Sequence, residues 1–165
     1  MSAGNVTIRR LGKPGDLGWV VMAHGEMYAR EFGWDATFEA LVARIVADYA
    51  GSHDDTTQAA WIAEYEGRRV GCVFCVAADK QTAQLRILLV DPAVRGHGVG
   101  ARLVDECVQF ARQAGYKRMT LWTNDPLAAA RRIYLSRGFQ LVEEEPHHSF
   151  GATLVGQVYE LGLQP

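Results

Sequence analysis

The sequence predicts a mixed α/β (α+β) fold, one mostly antiparallel central sheet of about seven strands flanked by about four helices. Three observations carry this expectation. Strand-length apolar runs are interleaved with stretches of helical periodicity, the middle of the chain reads as three consecutive antiparallel strands, and a glycine-rich segment joins an apolar strand to an amphipathic helix.

Taken in order, Val6, Ile8 and Leu11 mark a short first strand, and Lys13-Pro14-Gly15-Asp16 a turn. Leu17 to Phe32 reads as a helix despite Gly18 and Gly25. Phe38, Leu41, Ile45 and Tyr49 recur at three- and four-residue spacing, a second helix that Gly51 terminates. After a polar loop from Ser52 to Gln58, Ala59 to Glu66 and Arg69 to Asp79 form a hairpin about Gly67-Arg68, and Thr82 to Val90 extends it to a meander. The run Ile87-Leu88-Leu89-Val90 is expected to be buried on both faces.

Asp91-Pro92 stops that strand. Val99 to Ala114 is a helix whose Val99, Leu103, Val104, Cys107, Phe110 and Ala111 share a face, and Gly115 ends it. Lys117 to Thr123 is the fifth strand, and Asp125-Pro126 caps and opens a helix from Leu127 to Arg137 that Gly138 closes. Phe139 to Glu145 and Thr153 to Leu161 are the last two strands, with Pro146 to Ala152 as their loop. No internal repeat or linker interrupts the pattern, so one domain over residues 1–165 is expected.

A chain of 165 residues that is 48% hydrophobic can build one continuous core. Its formal charge of -2 gives no general attraction to nucleic acid or to anionic membrane. No apolar run reaches the roughly 20 residues that span a bilayer, and Met1 to Ile8 carries no signal-peptide pattern. With three cysteines no closed disulfide framework forms, so a cytoplasmic setting fits best. Cys72 and Cys75 spell CxxC inside a strand with no second pair to complete a metal site, and read as core-filling thiols.

The segment Arg95-Gly96-His97-Gly98-Val99-Gly100 lies between strand and helix. There, backbone N–H groups without intervening side chains converge, the helix start adds partial positive charge, and Arg95 adds a full one, a combination suited to a pyrophosphate. Gly96, Gly98 and Ala101 also satisfy the dinucleotide pattern GxGxxG/A. That alternative needs an early βαβ unit and an acidic residue about twenty positions on, where this chain has Tyr116, Lys117 and Arg118.

Arg95, Gly98 and Gly100 meet the pattern Q/R-x-x-G-x-G/A, preceded by Leu88-Leu89-Val90-Asp91-Pro92 and followed by Tyr134-Leu135-Ser136-Arg137-Gly138-Phe139. In these motifs, and in the order of its elements, the chain resembles the GCN5-related N-acetyltransferase (GNAT) superfamily. Tyr28 to Asp35 and Glu145 to Gly151 resemble, more narrowly, the acetyltransferase half of bacterial proteins that fuse a MarR-type regulator to such a domain, here as a free-standing relative.

The resemblance implies a sheet splayed between strands 4 and 5, with acetyl-CoA as cosubstrate and no metal. Its pantetheine arm would pair with the backbone of Leu88, Leu89 and Val90, and its pyrophosphate would lie on Arg95, Gly96, His97, Gly98, Val99 and Gly100. The His97 side chain is expected to face solvent. Tyr134 matches the family's general-acid tyrosine, against the plainer role of packing on the sheet. Asn124 is a ligand for the arm or acyl carbonyl, or simply a turn former; the family's usual asparagine position is Leu127 here.

Transfer to an amine needs a neutral nucleophile, a stabilised oxyanion and a proton for the leaving thiolate. Glu31, His147 and His148 are the candidate bases, with Glu26 a further carboxylate and water an alternative to all of them. Trp19, Tyr28, Trp34 and Phe150 are candidates for an aromatic acceptor pocket or for core. The expected activity is acetyl transfer to a small-molecule or peptide amine by direct attack in a ternary complex. A non-catalytic CoA-binding sensor is the competing reading, and an aromatic-rich terminal hairpin suggests a homodimer.

Overall fold

The computed structural model describes residues 5–52 and 54–163. Along the chain run β1 (Val6–Arg10), α1 (Asp16–Phe32), α2 (Ala36–Gly51), β2 (Ala59–Tyr65), β3 (Arg68–Ala77), β4 (Thr82–Val90), α3 (Val99–Gln113), β5 (Arg118–Asn124), α4 (Ala128–Ser136), β6 (Gln140–Ser149) and β7 (Ala152–Gly162). A short 3₁₀ turn, Pro92–Val94, separates β4 from α3.

The strands form one seven-stranded sheet in the order β1-β2-β3-β4-β5-β7-β6. Every neighbouring pair is antiparallel except β4 and β5, which run parallel. A parallel pair needs a crossover, and α3 supplies it.

Side-chain alternation along the strands sorts the core into two layers. On one face, Val20, Tyr28, Trp34, Phe38 and Val42 of the α1–α2 region pack on Ile62, Cys72, Phe74 and Leu89. On the other, Leu103, Val104, Cys107 and Ala111 of α3 pack on Val73, Cys75, Leu85 and Met119, with Tyr134 and Phe139 beside them. Cys72 and Cys75 therefore belong to opposite layers, and all three thiols are free and buried. Burial pushes the Cys72 thiol well above the ordinary range.

α1 is fixed by its first residue. Asp16 is fully buried and accepts two hydrogen bonds from Arg9 and one from Arg69, each 2.8 Å, plus the N–H groups of Gly12 at 2.9 Å and Lys13 at 2.8 Å. The carboxylate thus ties the α1 start to β1 and β3. Burial favours the neutral acid, but these donors outweigh it and hold Asp16 below the usual carboxylate range.

Several boundaries differ from the sequence expectation. The β2–β3 turn is Glu66-Gly67, both left-handed with φ 50 and 75, the pattern of a type I′ hairpin turn, whose twist matches that of the flanking strands. Asp125 does not cap α4; Leu127 is its N-cap, and the Asp125 carboxylate accepts the N–H of Val155 at 2.8 Å instead. The expected Pro146–Ala152 loop is mostly strand, with Pro146 opposite Val155 and the turn reduced to Phe150-Gly151. β6 is an edge strand, where proline's missing N–H costs no ladder bond. Ile87, Leu88 and Val90 are half-buried rather than buried on both faces, since the sheet opens beside them.

Candidate active site

β4 and β5 pair only where Thr82, Ala83 and Gln84 face Arg118, Met119 and Thr120. Beyond Gln84 the two strands continue without pairing, leaving a gap in the sheet. β4 also bulges there: Cys72 faces Leu89 and Phe74 faces Arg86, so Ile87 and Leu88 stand against Val73 alone. Ile87 has φ 49, a left-handed conformation that costs a β-branched residue about 1–3 kcal/mol. Such a bulge bends its strand and interrupts the ladder.

One mouth of the gap meets the glycine-rich loop. Gly96 and Gly98 have φ 85 and 77, and Gly98 caps α3 without any side-chain hydrogen bond, so the first N–H groups of the helix face outward for an anion. A Cβ on Gly96 or Gly98 would meet nothing within 4 Å, which leaves backbone conformation as the reason for glycine. At Gly100 the reason is packing, because a Cβ would stand 2.8 Å from Ile133 and 3.3 Å from Val90. These residues, with Leu88, Val90, Arg95, Val99 and the start of α4, line a cavity of about 580 Å³. His97 is half-buried and absent from its wall, while the Leu89 side chain is buried in the α1–α2 layer.

The other mouth is a cavity of about 210 Å³ between α1, α2, β4, β5, α4 and the last hairpin. Tyr28, Leu88, Leu127 and Ala130 line both cavities, so the two meet at the bulge. Tyr134 lines the smaller one, and burial pushes its phenol well above the ordinary tyrosine range. The Tyr28 hydroxyl donates to the Leu88 carbonyl at 3.4 Å.

Aromatic rings wall this side. Tyr28 stacks on Phe38 with centroids 5.0 Å apart, and Trp34 lies 5.1 Å from Phe150. The last contact joins the α1–α2 corner to the β6–β7 turn, where the Asp35 N–H also donates to the Phe150 carbonyl at 3.0 Å. Trp19 packs with the α1–α2 layer and does not line the cavity. His24, one turn before Tyr28, donates Nδ1–H to the Val20 carbonyl at 2.7 Å, and its Nε2 is buried without a partner. Burial lowers its pKa to about 4, so the ring is neutral near neutral pH.

The candidate bases are dispersed. Glu31 lines the larger cavity, its carboxylate held by Arg95 in two hydrogen bonds of 2.9 and 2.5 Å. His147 sits behind Asn124: Nε2 contacts Asn124 Oδ1 at 2.8 Å and Nδ1 contacts Ser149 Oγ at 2.9 Å. Since an amide oxygen only accepts, Nε2 carries the proton, and Nδ1 receives the serine hydroxyl. That leaves Asn124, buried and on the wall of the smaller cavity, with its NH₂ uncommitted to His147. His148 is exposed, beside Thr153 at 3.3 Å, and lines neither cavity.

Among the wall residues that drew no notice in the sequence are His24 and Arg86. His24 was legible only as a helical neighbour of Tyr28 at i+4, and Arg86 only as a charge interrupting the apolar run of β4. No group of three or more His, Cys, Asp or Glu side chains that could hold a metal occurs among the described residues. No helix among them is long and apolar enough to cross a membrane.

Comparison with known proteins agrees with this geometry. The family model described as acetyltransferase (GNAT) family matches residues 19–139. An uncharacterized N-acetyltransferase of Schizosaccharomyces pombe is 32% identical over 152 residues, covering 90% of this chain and 91% of that protein. The amino-acid acetyltransferase of Mycobacterium tuberculosis is 32% identical over 95 residues, covering 56% of this chain and about half, 52%, of that protein. Among solved structures, yncA of Salmonella typhimurium with its cofactor acetyl-CoA superposes with a TM-score of 0.77 at 20% identity, over 98% of this chain and 95% of that one. With its family model matched over most of its length and a relative aligned nearly end to end, the chain belongs to the acetyltransferase (GNAT) family.

Proposed function

We propose that this acetyltransferase moves an acetyl group from acetyl-CoA to a primary amine by direct attack within a ternary complex. The observation that carries this reading is the junction of the two cavities at Leu88, with an anion-ready helix start on one side and Tyr134 on the other. A cosubstrate reaching from the loop through the sheet gap would arrive beside the phenol, opposite an incoming amine.

The residues fit such a ligand. The uncapped α3 start and the open space above Gly96 and Gly98 suit a diphosphate, and unpaired β4 backbone past Gln84 suits an extended amide-bearing arm. Acetyl-CoA supplies the acyl group as a thioester. Burial disfavours phenolate and keeps Tyr134 in its acid form. As the acceptor nitrogen bonds to the acyl carbon and the C–S bond breaks, the phenol protonates the departing sulfur and the nitrogen's surplus proton passes to water. Backbone N–H groups at the bulge polarise the carbonyl. Asn124, oriented by His147, offers an amide to the arm or the acyl oxygen.

Glu31 and His148 have no part in the acid–base step in this reading, the first lining the loop-side cavity rather than the one that holds Tyr134 and the second lying outside both. The resemblance to the acetyltransferase half of MarR-type fusions rests on Tyr28–Asp35 and Glu145–Gly151, whose meeting at Trp34 and Phe150 forms part of the acceptor side. In the amino-acid acetyltransferase of Mycobacterium tuberculosis the name itself specifies an amino-acid acceptor. That acceptor class suits the small cavity.

The test is thiol release from acetyl-CoA with a panel of primary amines, for wild type and Tyr134→Phe. Turnover that drops by roughly a hundredfold to ten-thousandfold in the variant, with CoA affinity kept, is expected. Tight CoA binding without thiol release on any amine would instead assign a sensor.

A further inference from the structure

The acceptor-side cavity carries one formal charge. Arg86 is the sole Lys, Arg, Asp or Glu on its described wall, and the lining is otherwise aromatic, aliphatic or neutral polar. Arg86 is half-buried on β4, two residues after Gln84, on the face that carries Phe74 opposite it and α2 above. No hydrogen bond or ion pair within 4 Å joins its guanidinium to any described residue. Asp48 on α2, itself exposed, acts on it only at longer range.

This is an unusual position for an arginine. Arg9 and Arg69, half-buried like Arg86, are both paired with Asp16. Removing a guanidinium partly from water without a partner costs stability, and burial accordingly weakens its hold on the proton. A fork of five donors facing a small apolar chamber is chemically matched to a planar anion, above all a carboxylate, which it binds bidentately.

We propose that the acceptor is an amine that bears its own carboxylate, an apolar amino acid or close analogue, whose carboxylate is held by Arg86 and whose side chain lies among Tyr28, Phe38 and Phe150. The proposal rests on the transferase reading above and specifies its acceptor. A cavity of about 210 Å³ lies below the roughly 300–1,000 Å³ typical of drug-sized ligands, so it takes an acceptor of this size and no large one. The absence of any aspartate or glutamate from the described wall disfavours polyamines and other polycations, which would meet Arg86 with nothing to balance them.

The experiment compares L-leucine, L-methionine and L-phenylalanine with their amides as acceptors, for wild type, Arg86→Gln and Arg86→Lys. Thiol release gives KM and kcat, and calorimetric titration with the N-acetyl amino acid gives binding independent of turnover. For the best amino acid, Arg86→Gln should raise KM by roughly ten- to a hundredfold with kcat changed little, while the amides change less than about threefold. Arg86→Lys should recover part of the loss. Using the ratio between variants removes the effect of the amide's more acidic ammonium.

A preference for acid over amide that survives Arg86→Gln overturns the proposal, as does efficient turnover confined to amines without a carboxylate; the transferase reading stands in both cases. If no acceptor is turned over, titration decides: Arg86-dependent binding of the N-acetyl amino acid keeps the carboxylate site and sinks the transferase, and no binding sinks both.

Discussion

The Glu31 carboxylate grips the Arg95 guanidinium through two hydrogen bonds, joining α1 to the glycine-rich loop across the larger cavity. An incoming diphosphate must compete for the same donors. Glu31→Gln should therefore tighten CoA binding by about two- to fivefold, the scale of an exposed ion pair, and Arg95→Ala should weaken it by about ten- to a hundredfold. Calorimetric titration measures both, and the Glu31→Gln gain should shrink as salt is raised.

Tyr134 should show its environment in the pH profile. Burial raises its pKa, so the acid form persists past the ordinary phenol value of about 10. Turnover should climb with pH as the acceptor ammonium loses its proton and show no decline near pH 10. A basic limb at that pH in wild type that disappears in Tyr134→Phe would contradict the burial argument.

His147 should behave as a positioning residue. Its ring is committed on both nitrogens, to Asn124 and Ser149. His147→Phe should lower kcat through the loosened Asn124 by about threefold to thirtyfold, with the shape of the pH–rate profile unchanged. An acidic limb lost in that variant would make His147 the base.

Two buried groups set separate acid limits on stability. The folded-state pKa of His24 is about 4 against an ordinary 6.5, so between those values the unfolded chain takes up a proton that the folded chain refuses. Its contribution is fully present above about pH 6.5 and falls by up to about 3 kcal/mol as pH drops towards 4. Denaturant melts across this range should show the slope in wild type and a flatter one in His24→Leu. Asp16 is depressed below the carboxylate range, so its stabilisation is lost only below about pH 4. Asp16→Ala should cost about 2–4 kcal/mol at neutral pH, since it leaves Arg9 to Glu64 and Arg69 to the Pro14 carbonyl, and frees the N–H groups of Gly12 and Lys13.

Local pattern made much of this legible. Thr82 to Val90 is β4 to the residue, because Pro92 and a run of β-formers bound it sharply. Gly96, Gly98 and Gly100 announced the loop, although only the structure separates conformation at the first two from packing at the third. What escaped depends on distant partners. Asp16 looked like a turn residue, since its ligand Arg69 lies 53 positions away. Pro146 looked like a loop former because an edge strand cannot be told from a central one before the sheet order is known. The half-exposure of Leu88 and Val90 follows from β5 diverging after Thr120, which nothing in the β4 sequence encodes.

The most direct measurement is a crystal structure with acetyl-CoA bound. The diphosphate should rest on the N–H groups from Gly96 to Gly100 with Arg95 turned from Glu31 towards it, and the thioester should lie beside Leu88 within reach of the Tyr134 hydroxyl. A diphosphate seated away from the α3 start, or a thioester on the far side of the sheet from Tyr134, would contradict it.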